Sequence, residues 1–138
     1  MKKITIFAAS LFLLFSVSCK KDNNNPNPNA TIVESGKWII TKFVDDNVNE
    51  TANLAAYDFT FNSNGNVSAV SSANTMNGTW SLGTDDSKQK FNLDFASPSS
   101  FEELSEDWLI LQINASAIQL THTSGGNNFA DTLFFGKK

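Results

Sequence analysis

At 138 residues the chain has room for one domain, and 41% hydrophobic with 17% charged residues sets it among globular rather than disordered chains. All ten basic residues are lysines, set against fourteen acids for a net charge of −4, so the chain has no arginine-rich or basic stripe for phosphate backbones and nucleic acid is not expected as a partner. One histidine and one cysteine are too few for a soft-metal cage, and no metal or other cofactor is expected.

The amino terminus reads as an address. Met1-Lys2-Lys3 is a basic start, and Ile4 to Val17 is an apolar run broken only by Thr5, Ser10 and Ser16. That run is about 14 residues, against the roughly 20 that a membrane-crossing helix needs, and it has the length of a signal segment. Small Ser18 precedes Cys19, and polarity then returns abruptly in Lys20-Lys21-Asp22-Asn23-Asn24-Asn25. Ser16-Val17-Ser18-Cys19 resembles the lipobox of bacterial lipoproteins, with Ser16 where leucine is usual. The resemblance implies removal of residues 1–18, acylation of Cys19, and a membrane partner held through those acyl chains. It also implies a place in the cell envelope, on the outer membrane, facing either the periplasm or the exterior. Lys20-Lys21-Asp22 resembles export signals of some surface lipoproteins of Gram-negative bacteria. Loss of Lys2 and Lys3 leaves eight lysines against fourteen acids, a net charge of −6. Residues 19–35, rich in Asn and holding Pro26 and Pro28, are expected to form a disordered tether.

From residue 36 the pattern is strand, turn, strand. Gly36 to Val44 is β-branched and aromatic, a first strand that Asp45-Asp46-Asn47 ends. Residues 45–56 form a long connection with a helical turn near Ala52–Ala55. Tyr57-Asp58-Phe59-Thr60-Phe61 alternates, its aromatics on one face. Asn64-Gly65 supplies the positive φ angles of a tight hairpin returning through Asn66–Ser71. Thr75–Leu82 and Phe91–Phe95 are further strands, the second stopped by Pro98. Ser100-Phe101-Glu102-Glu103 matches a capping box and predicts one short helical turn near residues 100–105. Trp108–Ile113, apolar on both parities, predicts a strand covered on both sides. Ile118–Thr123 and Thr132–Phe135 complete about eight short strands, which predict an all-β, up-and-down antiparallel barrel over residues 36–138.

Gly36-Lys37-Trp38 resembles the G-x-W signature of lipocalins, and the order of turns through Gly78-Thr79-Trp80 to the closing hairpin is similar to lipocalin-like lipoproteins of Gram-negative bacteria. Lipocalins pack an arginine over that tryptophan. With no arginine in the chain, Lys137 or Lys138 is left for the position.

Chemistry is sparse. Trp38, Tyr57, Trp80, Trp108 and His122 are the candidates for lining a pocket for a small hydrophobic ligand or a sugar. His122 shares the parity of Ile118 and Leu120, inward near a barrel end, and lacks an evident nucleophile, so no catalytic residue is assigned and no enzyme is expected. Asp45 to Glu50 alternates oxygen ligands as calcium loops do, but lacks their glycine and closing glutamate. Glu102, Glu103, Glu106 and Asp107 read as solvated acids around a helical turn. The expectation is a lipid-anchored, non-enzymatic module that binds a small ligand in its barrel or, with a filled core, a protein partner on its outer face or loops.

Overall fold

The computed structural model describes residues 27–96, 99–123 and 129–138. Helix α1 (Pro28–Glu34) leads into β1 (Lys37–Asp45), β2 (Val48–Asn49), α2 (Thr51–Leu54), β3 (Asp58–Phe61), β4 (Asn66–Val70), β5 (Thr75–Asp85) and β6 (Lys88–Phe95). There follow α3 (Ser99–Glu102), β7 (Asp107–Ile113), β8 (Ala117–Thr123) and β9 (Ala130–Lys137). Every pairing is antiparallel. Consecutive strands from β3 to β9 are neighbours, and β1 pairs with both β3 and β9, which closes an eight-stranded barrel. Two-residue β2 is only a flap folded back on the end of β1. The all-β barrel read from the sequence is therefore the fold. None of the described helices is long and apolar enough to cross a membrane.

Alternation builds the core. Phe59 and Phe61 on β3, Val67 and Ala69 on β4, Phe91, Leu93 and Phe95 on β6, Ile118 and Leu120 on β8, and Leu133 and Phe135 on β9 all point inward. β1 changes parity between Ile40 and Phe43 at a bulge, which curves the strand around the closure. Rings from β3 meet those of β5, β6 and β9 inside the barrel. Phe61 lies 5.5 Å from Phe91, 5.5 Å from Trp80 and 5.7 Å from Phe135, while Phe59 lies 5.2 Å from Phe135, mostly edge to face.

Four expectations change. The tether does not run to residue 35: residues 28–34 form α1, because Asn27 caps the helix through its side chain to the Asn29 N–H (3.0 Å) and Pro28 has the φ that a first turn requires. Residues 19–26, and with them Cys19 and the signal segment, lie outside the described residues. Residues 45–49 are not open loop but a two-residue hairpin, with Asp46 and Asn47 both left-handed (φ 45° and 65°). Asp86 and Ser87 (φ 47° and 63°) make the same turn between β5 and β6. Asn64-Gly65, by contrast, belongs to a four-residue connection in which only Gly65 is left-handed (φ 85°). Finally, β7 is not covered on both sides: Leu111 is 56% exposed, where a bulge breaks the pairing with β8. Pro98 lies outside the described residues.

Both barrel ends are plugged. α1 touches β3 and β7, strands on opposite sides of the cylinder, so it lies across the mouth where β1 begins. Its Val33 is buried, and the Val33 carbonyl accepts the Trp38 indole N–H at 2.8 Å. Above the Trp38 ring, at 4.2 Å from its centre, sits the Lys137 ammonium, which also donates to the Ser35 carbonyl and hydroxyl. Lys137 thus takes the place over the tryptophan, while Lys138 pairs with Asp58 at 2.6 Å. At the far end, Leu54 of α2, Phe101 of α3 and Leu104 are buried under the chain. Thr51 fastens α2 by accepting the Phe43 N–H (2.9 Å), and Ser105 fastens the α3 segment by accepting the Phe95 N–H (2.8 Å).

Candidate functional site

Polar chemistry gathers at the end away from α1, where β1 and β8 finish and β7 and β9 begin. His122 on β8 and Asp131 on β9 are direct cross-strand partners on the inward face. Asp131 is 4% exposed and accepts the Asp46 backbone N–H at 3.0 Å, which ties the β1–β2 hairpin to the rim. The His122 imidazole stands edge-on to Trp108, ring centres 6.0 Å apart. Its Nδ1 lies 3.7 Å from Asp131 Oδ2; its Nε2 lies 3.7 Å from Glu106 Oε2 and 3.6 Å from Asp107 Oδ1. Nδ1 is buried and has no hydrogen-bond partner. The other Asp107 oxygen bonds Lys90 Nζ at 3.1 Å.

This rim is strongly negative. Asp45, at the end of β1, has its carboxyl pushed above the usual 3.8, first by burial and then by Asp131, Asp46, Glu103 and Glu106. A carboxyl that holds its proton more tightly folded than unfolded opposes folding when ionised. The penalty is complete above the folded value and vanishes below the ordinary one. Asp45→Asn is therefore expected to stabilise the chain at pH 7, by less than about 1 kcal/mol because solvent screens the site. That gain should fade as the pH falls through the carboxylate range; urea unfolding at pH 7 and pH 3 checks the sign.

Outside the same wall, Lys88, Lys90, Asp107, Leu109, Thr121, His122 and Thr123 line an open groove of about 340 Å³. Six of the seven project outward from β6, β7 and β8, so the groove is on the surface and not inside the barrel.

The residues singled out from the sequence divide sharply. Trp38 and Trp108 are buried, and Trp80 is nearly so. Each indole N–H is taken by a backbone carbonyl: Val33 for Trp38, Asn62 for Trp80 (2.9 Å) and Leu104 for Trp108 (3.0 Å). Tyr57 packs on Phe101 at 5.0 Å, beside the far plug. These four are packing residues, and His122 alone joins a polar cluster. The oxygens of residues 45–50 do not converge: Asn49 accepts the Thr51 N–H, Glu50 bonds Asn53, and Asp46 turns the hairpin. Glu106 and Asp107, read from the sequence as solvated acids, are exposed and also stand beside His122, and Asp131, one residue before the expected last strand, belongs to β9.

No protein-family model matches the chain, and no curated protein matches it in sequence. Among solved structures, it is similar to the 1.00 Å crystal structure of a DUF4847 family protein from Bacteroides vulgatus ATCC 8482. Sequence identity is 17% and the TM-score 0.52, over 78% of this chain and 96% of that one. The likeness is one of fold. It agrees with a small all-β barrel.

Proposed function

We propose that this chain is a lipid-anchored protein of the cell envelope whose solid barrel is a non-enzymatic interaction module, engaging a partner through the acidic rim and the outer wall beside it. The observation that carries the reading is the meeting of buried Phe61 with Phe91 and Phe135 inside the barrel, which leaves side chains where a lipocalin-like ligand would sit. Polarity supports it too. The chain enters the barrel through α1 at one end, and the acidic rim crowns the other, so an anchor at Cys19 would present the rim away from the outer membrane. The surplus of carboxylates favours a partner with basic groups.

Anchoring and partnership are tested together. Each buried methylene contributes about 0.8 kcal/mol, so two or three acyl chains hold firmly where one does not. Wild-type chain expressed in a Gram-negative host should take up labelled palmitate and sediment with membranes, whereas Cys19→Ser should do neither. Native mass spectrometry of the detergent-extracted protein should show the acylated chain without a further small molecule. A stoichiometric copurifying lipid or sugar would refute the solid barrel, and an unmodified thiol would refute the anchor.

A further inference from the structure

We propose that Glu106, Asp107 and His122 form a binding site for a divalent metal ion of the zinc or manganese class, at the barrel end away from α1. The three offer one imidazole nitrogen and two carboxylate oxygens that all lie within 4.8 Å of one another. Their separations decide between two arrangements. Nε2 to carboxylate distances of 3.6 and 3.7 Å are too long for hydrogen bonds, which close at about 2.7–3.2 Å. Ligands bound about 2.1 Å from one tetrahedral ion, however, lie roughly 3.4 Å apart. The spacing fits co-ligands of one ion.

The far side of the imidazole carries an independent sign. Nδ1 is buried without a hydrogen-bond partner and faces the Asp131 carboxylate at 3.7 Å. A metal on Nε2 fixes the proton on Nδ1, and the Asp131 carboxylate behind that N–H would then close by about 0.5 Å to reach hydrogen-bond distance, the usual support of a metal-bound histidine. The His122 side chain is only 19% exposed and rests on Trp108, so its ring is held in place before any ion arrives. Glu106 and Asp107 are 44% and 52% exposed, which leaves the ion an open face for water or for a donor from another molecule. Lys90 bonds the Asp107 oxygen turned away from the imidazole and so leaves the other to the ion. The donor set mixes imidazole with carboxylates, which suits zinc or manganese better than calcium or magnesium.

The chain's single histidine makes the test direct, because one imidazole gives one set of proton resonances. Full-length chain carrying Cys19→Ser, so that its one thiol takes no metal, is made without a histidine tag. Manganese chloride added below one equivalent should broaden the His122 ring signals before any others. Zinc chloride should bind with one-to-one stoichiometry in calorimetry. Glu106→Gln with Asp107→Asn, both at exposed side chains and harmless to the core, should weaken zinc binding at least tenfold and abolish the selective broadening. Titrations in which the ring signals broaden only with the bulk, or in which the double variant binds as the parent does, would overturn the site.

Discussion

Trp38→Ala is expected to lower the unfolding free energy by about 4 kcal/mol, within the roughly 3–5 kcal/mol typical of a buried aromatic truncated in a packed core. Three losses coincide there. The fully buried ring disappears, the Val33 carbonyl loses the indole donor that staples α1 across the barrel mouth, and Lys137 loses the face it rests on. A carbonyl left buried without a donor costs about 1–3 kcal/mol by itself. Domains hold only about 5–15 kcal/mol in all, so the variant should be marginal at 37 °C. Trp38→Phe separates the contributions: it keeps most of the apolar bulk and removes the donor, and should cost about half as much. Urea denaturation of the three proteins gives the ranking. Equal losses for Ala and Phe would show that the hydrogen bond alone matters, and that the ring contributes nothing to holding α1.

The fold was readable because strand alternation in this chain is clean. Phe59 and Phe61, then Phe91, Leu93 and Phe95, mark their inward faces without help from partners. α1 was not readable by the same reasoning, since Asn-Pro-Asn-Pro has the composition of a linker. Its helix rests on one cap and on Val33 finding Trp38, a contact between segments that composition does not report. The rim was hidden for a geometric reason. Near the turn Ile113 pairs with Ile118, and extending that register would set His122 against Leu109. The bulge at Leu111 shifts the pairing by one residue, Leu109 meets Thr121, and His122 comes to stand on Trp108 beside Glu106 and Asp107. A bulge leaves little trace in sequence, yet here it decides which acids the only histidine meets.

A second large effect is expected at Gly78 on β5, for the opposite physical reason to Trp38: crowding in place of a void. A Cβ added there would lie 2.4 Å from the Asp94 carbonyl oxygen and 2.8 Å from the Phe95 ring. Neither can step aside cheaply. Gly78 and Phe95 are ladder partners, so moving the Asp94 carbonyl pulls on the β5–β6 pairing. The Phe95 ring is itself braced at 5.1 Å by Phe101 and at 6.4 Å by Phe59. Overpacking of this kind costs about 1–3 kcal/mol, and the backbone contact puts Gly78→Ala at the top of that range. With about 4–8 °C lost per kcal/mol in a domain of this size, the melting temperature should drop by at least about 10 °C. Gly83, five residues along the same strand, is the matched control. Its nearest foreign atom would be the Asn92 side-chain nitrogen at 3.5 Å, an ordinary contact, so Gly83→Ala should change stability by no more than about 0.5 kcal/mol. Thermal melts of the two variants followed by circular dichroism discriminate the causes. If both lost the same amount, a cause common to the two β5 positions would be at work and not the Phe95 contact, since the entropy change of Gly→Ala acts in the stabilising direction; a loss confined to Gly78→Ala assigns it to the packing of Phe95 beneath the far plug.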